Sequence, residues 1–178
     1  MTSGRAAELR AAFDQSFAEL PNEAIVHFED FLAIRIGGDP FAMRLRDVAG
    51  LYADRAITSV PSPVSELVGV AGFRGGLVPV YDLRALLGYP VSEPTRWLVL
   101  VTTQLDPSAP ATPVALAFDH FEGHLRVSPD AITAGASDGR FAYVRELVSV
   151  EGGPRPIMDV GALLEAITKR VKREQKHS

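Results

Sequence analysis

The chain has 178 residues, 47% of them hydrophobic, a net charge of −4 and no cysteine. It is long enough to bury a core in one domain or two small lobes. The missing cysteines exclude a disulfide framework, a thiolate metal site and a cysteine nucleophile, and the acidic balance argues against generic nucleic-acid binding. Apolar runs such as Trp97–Val101 are too short to cross a bilayer, and Met1-Thr-Ser-Gly-Arg5 lacks the build of a signal peptide, so the sequence predicts a soluble cytoplasmic protein with no membrane insertion.

Residues 4–19 place Leu9, Phe13, Phe17 and Leu20 at helical spacing, which predicts an amphipathic helix ended by Pro21. Phe31–Ile36 and Phe41–Leu45 flank Gly37-Gly38-Asp39-Pro40 and read as a hairpin. Val48–Leu51 and a strand toward Val60 follow. Pro61 and Pro63 impose extended backbone ahead of a turn at Ser65–Val68. Gly72, Gly75 and Gly76 flank Phe73 and Arg74 as a tight strand-to-strand connection would, which puts Arg74 near a hairpin tip. Leu77–Tyr81 alternates as a strand. Asp82 then stands at the N-cap position of a short helix, Leu83–Leu87, stopped by Gly88.

Trp97–Thr102, Val114–Phe118 and Phe121–Val127 continue the strand series, with the proline-rich stretch 106–113 as a loop. After a polar break at 135–140, Phe141–Val150 and Pro156–Asp159 bracket a turn at 151–155, and Leu163, Leu164, Ile167 and Val171 mark a terminal helix. Val80-Tyr-Asp-Leu-Arg-Ala-Leu-Leu87 is echoed by Ile157-Met-Asp-Val-Gly-Ala-Leu-Leu164, and two such strand-to-helix exits suggest two barrel-like lobes. Residues 169–178 carry five cations and one anion; cations there offset the helix dipole or form a basic arm for an acidic partner.

Val60-Pro61, Gly69-Val70, Phe73-Arg74-Gly75, Pro79-Val80-Tyr81-Asp82-Leu83-Arg84 and Leu87-Gly88 occur in one register that resembles the CheW-like chemotaxis coupling domain. The similarity extends to Phe31–Leu45, to Phe118-Asp119 and to Ile157–Asp159 with Leu163-Leu164. The resemblance implies a mainly β fold of two intertwined five-stranded SH3-like barrels over residues 28–166, preceded by a helical extension at 1–27 and followed by the helix end and basic tail at 167–178. It also implies a non-enzymatic adaptor without a cofactor, whose partners are the cytoplasmic tip of a chemoreceptor, the regulatory domain of a CheA-type histidine kinase and other CheW-like domains. Carried over by position, the partner-binding residues are Val48, Gly69 and Arg74, with Leu51, Val70 and Phe73 as apolar neighbours of that surface or of the core. Arg74 suits either a partner contact or an ion pair that fixes its hairpin.

Several positions depart from the family pattern. Gly72 and Phe73 replace an asparagine and a leucine, which predicts a looser turn. Gly50 stands where a glutamate is usual, leaving Asp54, Glu66 or Asp82 as the acid for Arg74. Gly123 replaces a further acid, and Glu146 and Val148 fall where glycines are usual. These changes suggest a diverged, accessory member, or a scaffold in a signalling system other than chemotaxis.

The rival from a different class is a metal site. On a strand, His120, Glu122 and His124 would share one face, as zinc or iron ligands can, whereas the alternative is an outward polar face opposite Phe121 and Leu125. Enzyme readings are weaker: no G-x-S-x-G elbow surrounds Ser59, Ser62 or Ser65, and the glycines fit neither a phosphate loop nor a dinucleotide fingerprint.

Overall fold

The computed structural model describes residues 27–103, 111–135 and 139–176. The amphipathic stretch expected at 4–19 lies outside these residues. The strands are β1 (Glu29–Ile36), β2 (Asp39–Arg44), β3 (Val48–Ala53), β4 (Ile57–Thr58), β5 (Leu67–Phe73), β6 (Gly76–Asp82), β7 (Trp97–Thr103), β8 (Thr112–Phe118), β9 (His120–Val127), β10 (Ile132–Ala134), β11 (Val144–Val150) and β12 (Gly153–Met158). Helix α1 spans Leu83–Leu87 and α2 spans Val160–Gln175.

They form two sheets, ordered β10-β11-β12-β2-β1-β9 and β3-β7-β8-β6-β5-β4. The second sheet is built from the segment between β2 and β9, so the chain starts the first lobe, completes the second and returns. This is the intertwined, two-barrel, mainly β arrangement the sequence predicts. Each sheet gains a sixth, very short strand beyond the expected five: β4 has two residues and β10 three. β4 is the strand expected toward Val60, shortened to two residues, whereas β10 is too short to give a hydrophobic period.

Period-two alternation makes three cores. One face of the first sheet buries Phe31, Ala42, Val148 and Ile157 inside its barrel. One face of the second buries Ala71, Phe73, Val78, Val80, Leu98, Leu100, Ala115 and Ala117. The opposite faces join both helices in the largest cluster, through residues such as Ile34, Phe41, Met43, Val99, Leu116, Leu83 and Leu163.

The internal echo is a structural repeat. Val80 and Ile157 each enter a barrel interior, whereas Tyr81 and Met158, Leu83 and Val160, and Leu86 and Leu163 all enter the shared cluster. β6 runs parallel to β8, and β12 parallel to β2, so both helix-preceding strands make their lobe's parallel pairing. Asp82 accepts from the Arg84 backbone N–H at 2.8 Å, and Asp159 from that of Ala162 at 2.9 Å, each satisfying a donor of its helix's first turn. Gly88 ends α1 in the left-handed conformation at φ 77°.

The repeat breaks at Arg84, whose counterpart is Gly161. Arg84 is almost fully buried and donates to both Asp82 carboxylate oxygens at 3.1 and 2.7 Å, and to the Glu93 carbonyl at 2.7 Å. It also pairs with Asp119 Oδ1 at 3.1 Å, and Asp119 Oδ2 accepts from the Gly37 N–H at 2.6 Å. One guanidinium thus ties α1, the 90–95 loop, the β8–β9 junction and the β1–β2 turn together. The hydrogen bonds that Arg84 donates to Asp82 raise the arginine's pKa above the ordinary value, burial opposes this, and the Asp82 and Asp119 charges add to the rise.

The first barrel is closed by ion clusters. Arg44 lies 5.5 Å from the Phe31 ring centre and pairs with Glu29 at 3.0 Å and Glu146 at 2.7 Å. Glu146, which the family pattern would make a glycine, thereby gains a partner. Glu122 accepts from Arg35 at 2.6 Å and from Arg155 at 2.5 Å, linking β9 to β1 and β12. Arg170 of α2 pairs with Glu66, so the basic end of the helix is in part tied to the second lobe.

Candidate partner-binding surface

The β5–β6 hairpin carries four of the six residues inferred from the resemblance. Its connection is Arg74-Gly75, with φ 46° and 83°. Positive φ at both central residues of a two-residue turn matches the twist of the flanking strands, so the turn is tight. The looser turn expected from Gly72 is not found. Gly72 lies in the regular ladder opposite Leu77, and a Cβ added to it would meet nothing within 4 Å.

Arg74 is exposed at this tip and makes no ion pair among the described residues. The three acids considered for it are engaged elsewhere: Asp54 with Arg96 at 2.9 Å, Glu66 with Arg170, and Asp82 with Arg84. The ion-pair role for Arg74 is therefore corrected. Arginine in the left-handed region costs about 1 kcal/mol relative to glycine, and no internal contact of the guanidinium offsets it.

The other inferred residues separate by strand face. Phe73 is only 5% exposed; it points with Ala71 into the second barrel and meets Tyr52 edge to face at 4.9 Å. Gly69 is buried at a bulge in β5, where an added Cβ would lie 2.2 Å from the Thr58 carbonyl oxygen. These two residues shape the lobe instead of facing solvent: Phe73 fills the barrel, and Gly69 lets β4 approach. Val48 and Leu51, half-buried on β3, pack against the shared cluster. Val70 is half-buried opposite Pro79.

The structure adds a residue that the sequence reading passed over. Leu77 is 77% exposed, next to the tip. Alternation with buried Val78 and Val80 was the available signal, because it places Leu77 and Pro79 on the outward side with Val70 and Gly72. The result is an apolar outer face on the hairpin, ending in a cation.

Gly50 also acquires a reason. It lies at a bulge in β3, and a Cβ there would come within 2.8 Å of the Tyr52 ring. Removing the side chain lets Tyr52 fold back and pack on Phe73, while Arg55 stacks over Tyr52 at 5.1 Å and Phe73 at 5.5 Å. An aromatic and cation cluster occupies the region of the usual acid.

The proposed metal ligands are not assembled. Glu122 is committed to two guanidinium groups, and His124 Nε2 lies 2.8 Å from Asp30. An irregularity of the β1–β9 register, opposite Ala33 and Ile34, skips Glu122. Among the described residues no cluster of histidine and acid side chains is placed to hold a metal.

Residues 30–168 match the family model of the CheW-like domain. The chain is 27% identical over 126 residues to chemotaxis protein CheW of Rhizobium meliloti (strain 1021), covering 69% of this chain and 79% of that protein. It is 29% identical over 76 residues to a probable chemotaxis protein CheW of Rhizobium etli (strain ATCC 51251 / DSM 11541 / JCM 21823 / NBRC 15573 / CFN 42), covering 43% and 49%. Its fold is similar to the crystal structure of the scaffolding protein TtCheW from Thermoanaerobacter tengcongensis, with a TM-score of 0.66 at 16% identity over 77% of this chain and 92% of that one. The two-lobed fold, the ordered motifs and the span of the family match together place this chain in the CheW-like domain family.

Proposed function

We propose that this chain is a cytoplasmic, non-enzymatic signalling adaptor that couples chemoreceptor tips to the regulatory domain of a CheA-type histidine kinase. The family and the chemotaxis names of its rhizobial relatives support this reading. The observation that carries it is the β5–β6 hairpin: an arginine in an unfavourable backbone conformation, without an internal acid, beside an exposed leucine. Val70, Leu77 and Pro79 supply apolar contact area, Arg74 orients an acidic group of the partner, and half-buried Val48 and Leu51 pack against the cluster that the two lobes share. Gly69 and Phe73 act indirectly, by holding the hairpin.

The test is a binding measurement with the kinase regulatory domain and the receptor tip of the same cell, using wild type and Arg74→Gly. Loss of an anchoring arginine is expected to weaken one complex by about 2 kcal/mol, roughly thirtyfold in Kd. The turn itself favours glycine, so the variant should melt at the wild-type temperature or above it. If the folded protein binds neither partner, chemotaxis coupling is wrong and a scaffold of another signalling system takes its place.

A further inference from the structure

Among the described residues, Asp54 and Arg74 are the non-glycine residues in the left-handed region, at φ 54° and 46°. One is the tip cation, and the other turns the chain into Arg55. That second turn is held by Arg96, whose carbonyl accepts from the Asp54 N–H at 2.9 Å and whose Nε lies 2.9 and 3.1 Å from the two Asp54 carboxylate oxygens. The carboxylate next to Arg55 is therefore already taken.

Arg55 belongs to the same end of the second lobe as Arg74. The β4–β5 register, Ile57 opposite Ala71 and Thr58 opposite Val70, brings Arg55 level with Phe73 when it is continued by two residues. The contact agrees: the Arg55 guanidinium lies 5.5 Å from the ring centre of Phe73, one residue before Arg74. Tyr52, at 5.1 Å, completes a platform of two rings. The rings hold the cation in place, so little of its freedom remains to be lost on binding. Its N–H donors stay unused, because exposed Arg55 makes no hydrogen bond or ion pair among the described residues. Glu93 lines a cleft of about 480 Å³ together with Arg55, yet does not pair with it. In a chain of net charge −4, this end of the lobe carries two cations that no acid among the described residues neutralises.

Gly50 connects the missing acid with the added cation. The glutamate usual at this position would bring a negative charge, and its Cβ would come within 2.8 Å of the Tyr52 ring and displace the platform under Arg55. One departure thus removes an anion and seats a cation. On the basis of the coupling role proposed above, we infer that Arg55 is a second partner-facing residue that determines specificity, and that the partner presents two carboxylates, one for Arg55 and one for Arg74. A guanidinium with free donors is matched by a carboxylate, which accepts two parallel hydrogen bonds. An adaptor with the usual glutamate would repel the same partner, so the exchange of charge discriminates between partners as well as attracting one.

Binding kinetics of the full chain with the kinase regulatory domain and with the receptor tip of the same cell test this, at about 0.1 M and about 1 M salt, where the screening length falls from about 10 to about 3 Å. At low salt, the complex that Arg74→Gly weakens should also be weakened about three- to fivefold by Arg55→Gln and about tenfold by Arg55→Glu, chiefly through slower association. At high salt the gap between wild type and Arg55→Gln should shrink below about twofold. Unchanged binding by both Arg55 variants would overturn the inference, as would a loss confined to the complex that Arg74→Gly leaves intact. A loss equal at both salt concentrations, with a lowered melting temperature, would also overturn it by assigning Arg55 to packing on Tyr52 and Phe73. Each of these results leaves the coupling role standing. Wild type that binds neither partner overturns both, a result recognised without any Arg55 variant.

Discussion

Replacing Arg84 by methionine should be among the most damaging single changes to this fold. The arginine side chain is 6% exposed and its Asp82 partner 5%, so water cannot take over the interaction. Methionine keeps most of the volume but removes the donors that reach Asp82, Asp119 and the Glu93 carbonyl. Each carboxylate keeps one backbone N–H, from Arg84 itself and from Gly37, which is too little to hold a charge away from solvent. Breaking a buried pair from one side costs about 3–5 kcal/mol, and at about 2–4 °C per kcal/mol for a chain of this size the melting temperature should fall by roughly 6–20 °C. The Arg96–Asp54 pair is the internal comparison. It has similar distances but both side chains are more than 60% exposed, so Arg96→Ala should cost less than about 1 kcal/mol. Urea unfolding of the two variants, with the slope checked against wild type, separates them. A loss below about 1 kcal/mol for Arg84→Met would refute the reasoning, because it would mean that the carboxylates find other partners or water.

Gly69→Ala must displace the Thr58 backbone and is expected to destabilise by about 1–3 kcal/mol. Gly72→Ala, with open space at its Cβ, should be neutral or stabilise by up to about 1 kcal/mol; a matched pair of denaturation curves decides both. Burial pushes the Glu122 carboxyl up, but hydrogen bonds and charge from Arg155 and Arg35 outweigh it and leave the pKa below the ordinary value. Its contribution is therefore present above the unfolded-state pKa of about 4.3 and is lost as pH falls through the lower folded value. A Glu122→Gln variant should show a flatter acid limb of stability against pH, and an unchanged limb would contradict the ion cluster. Gly50→Ala should push the Tyr52 ring off Phe73, detectable as a change in tyrosine fluorescence or near-ultraviolet dichroism.

What the sequence made legible was local. The cap residue Asp82, the stop at Gly88 and the hairpin tip at Arg74 depend on neighbours within a few residues, and alternation alone marked most strands. Even the burial of Phe73 was available there, since Ala71 and Phe73 alternate with Val70 and exposed Gly72. The boundaries shifted where no local signal existed: the expected turn at Ser65–Val68 ends at Glu66, and β2 stops at Arg44 where a 3-10 turn starts at Leu45. β4 and β10 exist only because longer neighbours offer them an edge.

The glycines show why the site was harder to read than the fold. Gly50, Gly69 and Gly72 look alike in sequence, yet one makes room for an aromatic ring, one for a backbone carbonyl and one for nothing. That difference lies in segments brought together by tertiary pairing, and no spacing rule reports it. The same holds for Arg84. Within its own motif it is an ordinary first-turn residue, and only the arrival of Asp119 at the β8–β9 junction turns it into a buried tie between elements. Arg74 is the converse case: its motif suggested an internal acid, and each acid proposed for it is held by another cation. A motif arginine that is buried among carboxylates and one that is exposed without an ion pair thus look equivalent in sequence until the carboxylates are assigned. That assignment separates the residue that ties four elements together from the residue left without an ion pair at the hairpin tip among the described residues.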